Sequence, residues 1–158
     1  MADRAHFPYT GPRDLLVLVQ NSKKGRLITS SANLTPEDAE EPHTFIIDTD
    51  GRMRISPRRS EHVVCAGGEP VLSAGEVTFT QDLHGWTVDE VSNQSTGYCP
   101  DISSWVAVSH ALDLAGIGHP GQFTQAIVFR FCPECNHLNI VREQWFVCVF
   151  CDGILEKG

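Results

Sequence analysis

The chain has 158 residues, of which 41% are hydrophobic and 20% charged, with a formal net charge of −8. That mixture excludes a disordered chain, a fibrous repeat and a coiled coil, and the length suits one domain, or one domain with a small appendage. No apolar run approaches the ~18–20 residues that cross a bilayer. The N-terminal stretch MADRAHFPYTGPRD carries charge and two prolines where a secretory leader has an apolar region, so the chain reads as cytoplasmic, with no membrane partner.

Residues 1–13 read as a loosely docked arm broken by Pro8, Gly11 and Pro12. Leu15-Leu16-Val17-Leu18-Val19 has the length and flanks of a buried strand, and the turn at Asn21–Gly25 returns Arg26–Thr29 as its hairpin partner. Pro36 to Pro42 encloses an acidic loop. Thr44–Asp48 and Arg52–Ser56 form the next hairpin around Asp50-Gly51. Short strands are expected over 62–65, 70–73, 76–80 and 85–91, separated by Gly, Pro and Asp. One helix spans 101–115, opened by Pro100-Asp101 and closed by Gly116 and Gly118, and a linker covers 116–123. Residues 126–131 form a strand that runs straight into a cysteine pair. The fold class is therefore mainly β: a sandwich or roll of short strands over 13–115 that ends in one helix, with an appended module at 126–155.

Charge is distributed unevenly along these elements. Residues 1–35 hold five Lys/Arg against two acids, and residues 61–128 hold eight acids and no Lys or Arg. A surface without cations is poorly suited to a phosphate backbone, which excludes the middle of the chain from nucleic-acid contact.

The strongest chemical signal is in the cysteines. Cys132-Pro-Glu-Cys135 and Cys148-Val-Phe-Cys151 are separated by twelve residues of β-rich composition. Paired CxxC turns in a cytosolic chain indicate metal, because each turn aims two thiolates at one point and two turns complete the tetrahedron that Zn²⁺ prefers. Cys132, Cys135, Cys148 and Cys151 are thus the expected ligands of one structural Zn²⁺ in a zinc ribbon whose hairpin is the intervening segment. Asn136 and Gly153 suit the left-handed turns, His137 is expected in solvent, and Arg130 or Arg142 is placed to soften the charge of the site. Four sulfurs leave no open coordination position, so such a metal is a staple and not a catalyst. Phe129, Trp145, Phe146 and Phe150 exceed what so small a module can bury, which predicts that it packs on the main body.

Residues 45–100 carry a second pattern: Asp50-Gly51-Arg52-Met53, Ser60-Glu61-His62, the run Gly67 to Val77 with Ala74-Gly75-Glu76, and Ser95-Thr96-Gly97-Tyr98-Cys99-Pro100. This segment resembles a module of plant IQ-motif calmodulin-binding proteins that is also appended to some bacterial toxin-like proteins. Where that family has His-Ser-Ser-Phe this chain has His62-Val63-Val64-Cys65, and Ser95-Thr96-Gly97-Tyr98 replaces Ser-Gly-His-Tyr, which removes the second histidine. The chain has no IQ motif, so the resemblance implies a compact β-rich module and not calmodulin binding. Taken with the cysteine pairs, the whole chain resembles bacterial zinc-ribbon proteins of unassigned function.

Three functional readings follow. The first is a non-enzymatic, zinc-stabilised adaptor that binds another protein; the sequence shows no nucleophile–base–orienter set, phosphate loop or carboxylate pair. The second is a thiol-dependent enzyme centred on Cys99, acidified near the helix start with His62, His84 or His110 as base, against which Cys99 is a small packing residue. The third is a nucleic-acid-binding accessory protein, in which Lys23, Lys24 and Arg26 join Arg52, Arg54, Arg58 and Arg59 in a basic patch. The polar run Ser92–Thr96 is either a binding loop or a self-satisfied turn.

Overall fold

The computed structural model describes residues 5–157, and residues 1–4 of the expected N-terminal arm lie outside them. The chain divides into two compact units, Met1–Ala126 and Ile127–Gly158.

The first unit is built on one antiparallel five-stranded sheet in the order β1 (Arg26–Ile28), β3 (Met53–Pro57), β2 (His43–Ile47), β4 (Ser73–Asp82), β5 (Gly85–Val91). Strand alternation sends side chains to two faces, and both faces are covered. Phe45 and Ile47 of β2, with Val77 and Phe79 of β4, point to the larger core, which α3 (Trp105–Ala115) closes with Ala107, Val108, Ala111 and Leu112. Ile46 and Ala74 point the other way, into a smaller core with Val63, Cys65, Val71 and Tyr98. On β5, Val88 and Val91 sit three residues apart yet enter the same core. A bulge resolves the parity: the register shifts between Thr78 and Phe79, so that Phe79 faces Val88 and Thr78 faces Glu90.

Two apolar segments expected as strands are helical. Residues 13–20 form a 3-10 turn (Arg13–Leu15) followed by α1 (Leu16–Gln20). The i, i+4 pair Leu15 and Val19 packs on the smaller core, while Leu16, Val17 and Leu18 are exposed. No sheet edge takes this run, and β1 pairs with β3 instead. Residues 62–65 are a single turn, α2 (His62–Cys65). Gly67 and Gly68 take φ of +64° and +80° and end it, with Gly68 N–H bonded to Val63 O at 2.8 Å and Gly67 N–H to Val64 O at 3.0 Å. The β-branched residues suggest a strand, but this glycine pair terminates a helix.

The helix over 101–115 is present as a 3-10 turn capped by Asp101 (Ile102–Ser104) leading into α3, and Gly116 closes it at φ +73°. Gly118 does not terminate the helix. It lies along β5, donating to Trp86 O and accepting from Val88 N, and the following residues continue up that edge to Thr124, whose hydroxyl bonds Val91 O. The 116–123 segment expected as a linker thus covers the sheet's open edge. The described part of the N-terminal arm docks through paired backbone bonds between Phe7 and Val71.

The second unit is one hairpin, β6 (Val128–Phe131) and β7 (Leu138–Val141), with a short second loop closed by a bridge between Val147 and Ile154. The hairpin encloses the first CxxC pair and does not span the segment between the pairs, as the sequence had suggested. That segment turns sharply at Glu143 and Gln144, both in left-handed conformation.

Candidate metal centre

Each cysteine pair sits at the tip of its own antiparallel pair, and the two tips repeat one set of backbone bonds. Cys132 N–H donates to His137 O at 2.9 Å and Asn136 N–H to Cys132 O at 2.8 Å. In the second, Cys148 N–H donates to Gly153 O at 2.8 Å and Asp152 N–H to Cys148 O at 3.0 Å. The residue after each second cysteine is left-handed, Asn136 at φ 62° and Asp152 at φ 63°, which short polar side chains tolerate best. Asn136 was expected there; in the second turn the residue is Asp152 and not Gly153. A Cβ at position 153 would meet Glu134 Oε2 at 2.6 Å, the free end of a side chain that can swing aside.

The two tips bring the four sulfurs within 4.8 Å of one another. Cys132 and Cys151 are 3.6 Å apart and Cys135 and Cys148 3.5 Å. Four thiolates around one Zn²⁺ at ~2.3 Å would be separated by about 3.8 Å, so the donor set fits a single tetrahedral ion. The four cysteines could therefore hold a metal, and no disulfide joins them.

Donors converge on these sulfurs from the protein itself. Cys148 Sγ accepts from Asn139 Nδ2 and from Phe150 N–H, each at 3.4 Å, and Cys132 Sγ accepts from Cys135 N–H at 3.5 Å. Burial opposes ionisation of Cys148, but the Asn139 amide and the Phe150 and Cys151 N–H groups outweigh it and bring the thiol down to about 6. Cys151 shows the reverse. The Gly153 N–H favours its thiolate, yet the Cys135 and Cys132 sulfurs push it up to about 12. The Cys148 thiolate forms readily, and Cys135 and Cys151 resist joining it until a cation offsets the charge.

Asn139 escaped the sequence reading. It is 3% exposed, and besides its bond to Cys148 it accepts from Val149 N–H at 3.0 Å, tying the two turns together. A lone polar residue on an inward position of β7 was its only sequence signal. His137 is exposed, as expected, with Nδ1 3.3 Å from Cys135 Sγ and the ring stacked on Phe150 at 4.3 Å. Arg130 faces away from the sulfurs, donating to the carbonyls of Phe129, Glu156 and Lys157.

The other candidates separate. Cys99 donates its thiol to Thr96 O at 3.2 Å, and burial pushes it up to about 11, the reverse of an activated nucleophile. Cys65 is fully buried, as expected, though in α2. His62 and the Ser95–Thr96 pair, distant in sequence, are brought together around one cleft. Of the expected basic patch, Arg26 pairs with Asp38 at 2.6 Å and Arg52 and Arg54 with Asp48 at 3.1 and 3.7 Å. Among the described residues no helix is long and apolar enough to cross a membrane. Comparisons with protein-family models, curated proteins and solved structures find no match, and so none that supports the likeness of residues 45–100 to the IQ-motif or toxin-like proteins.

Proposed function

We propose that the protein is a non-enzymatic binding module whose C-terminal unit is stapled by one structural Zn²⁺ and docks on another protein. The observation that carries this reading is the four-sulfur cluster. With all four positions filled by Cys132, Cys135, Cys148 and Cys151, the ion has no site for water or substrate, so its work is to hold the two turns together. Support for protein contact comes from the surface around it. Phe131, Trp145, Val149, Phe150 and Ile154 are all exposed on a unit of about thirty residues, a concentration of apolar area that water alone does not favour.

Metal analysis and crosslinking test the two halves of the reading separately. One equivalent of zinc per folded chain is expected, and a folded C-terminal unit holding less than half an equivalent of any metal would overturn the staple. A photo-reactive residue at Trp145 should crosslink one specific protein in the native host, whereas the same group at Leu83, exposed on the first unit, should not. Equal yields at both positions would remove the adaptor role.

A further inference from the structure

A cleft of about 220 Å3 lies on the α2 face of the large sheet, within the first unit and independent of the cysteine cluster. Its floor is Thr44 and Glu76, directly opposed on β2 and β4. His62 forms one wall, Ser95 and Thr96 the other, and Arg58 and Arg59 stand at the rim.

Three features indicate a built site. The turn that carries the arginines is pinned to the floor, because the Thr44 hydroxyl reaches both Arg58 O at 3.1 Å and Ser60 O at 3.2 Å. His62 is held in one tautomer. Its Nε2 lies 2.8 Å from Gly75 O, a group that only accepts, so Nε2 carries the hydrogen and Nδ1 keeps a lone pair. Ser95 is 2% exposed, yet its hydroxyl has no hydrogen-bond partner, a condition that folded proteins rarely leave uncompensated.

Charge narrows the ligand class. Arg26, Arg52 and Arg54 are engaged by carboxylates of this same unit, whereas no ion pair joins Arg58 or Arg59 to Glu61 or Glu76, the two acids of the cleft. Two cations and two carboxylates on one cleft therefore cancel in sum while staying apart. A simple anion would meet the glutamates, and a simple cation the arginines. We infer that the cleft binds a small zwitterionic molecule, its anionic group on Arg58, Arg59 and the Ser95 hydroxyl and its amino group on Glu76. The cleft volume suits a ligand of amino-acid size.

Backbone amide NMR of the full zinc-loaded chain tests this with three probes: O-phosphoserine, inorganic phosphate and ethanolamine, the last two carrying only the anionic or only the amino group. O-phosphoserine should give saturable shifts at Ser60, Ser95 and Thr96, with at least tenfold weaker binding of either fragment. The exposed double variant R58A/R59A should keep a dispersed spectrum and lose at least tenfold in affinity. Ser95→Ala removes a hydroxyl without an internal partner, so it should weaken binding without lowering the melting temperature. Absence of saturable shifts with all three probes would overturn the proposal. So would equal affinity of phosphate and O-phosphoserine, which would mark a plain anion site, or unchanged binding in R58A/R59A.

Discussion

The two units of this chain reach order by different physical routes. The first buries large side chains on both faces of a sheet: Phe45, Phe79, Leu72 and Leu112 on one, Ile46, Val63 and Val71 on the other. In the second, the central buried cluster is Cys132, Cys148 and Leu155, so two of its three members belong to the four-cysteine cluster that could hold a metal. A core that small cannot offset the conformational entropy of some thirty ordered residues. Hydrophobic burial holds one unit, and in the proposed reading an ion at its centre holds the other.

Removing the ion is the most severe test of that contrast. Structural Zn²⁺ contributes on the order of 10 kcal/mol or more of apparent folding free energy in small domains. Cys148→Ser, or a strong chelator, should therefore collapse the amide spectrum of residues 127–157 and leave residues 5–126 dispersed. Loss of order in both units would show that the first also depends on the metal.

The mirror experiment attacks the other core. Phe45 is fully buried at the centre of the sheet, and Phe45→Ala should cost about 3–5 kcal/mol of stability. Denaturant unfolding of the first unit should shift by that amount while zinc content stays at one equivalent.

Asn139→Ala sharpens the contrast from within the metal unit. It deletes the donor to Cys148 Sγ and the acceptor of Val149 N–H while keeping all four thiols. Metal affinity, read by competition with a chromophoric chelator, should fall about 10–100-fold. An unchanged affinity would reduce Asn139 to a packing residue.

The smallest effect is in the pH dependence of the first unit. Burial lowers His62 below its ordinary value of 6.5, so below that pH the unfolded chain binds a proton that the folded chain refuses. Stability should decline as pH falls from about 6.5 toward the depressed folded value, by at most about 1.4 kcal/mol per pH unit. Asp38 acts lower. Burial opposes its charge, but the Arg26 and Thr35 hydrogen bonds hold it below 3.8, so its contribution is present above that pH and is lost as pH falls through the folded value. His62→Gln should abolish the upper decline alone, as measured by urea unfolding between pH 7 and pH 5.

Local chemistry settled a good deal of this molecule in advance. The four cysteines, β5 over 85–91, the helix closed by Gly116 and the left-handed Asn136 each depend on residues within a few positions, so spacing and residue type suffice. Tertiary structure alone decided the rest. Whether Leu15–Val19 becomes strand or helix depends on whether a sheet edge is free to pair with it, and β1 occupies that edge of β3. The placement of Asn139 against Cys148 and of His62 and Ser95 around one cleft are likewise set across the fold. No local pattern encodes them, because each is set by which strands become neighbours and where the glycine turns release the chain.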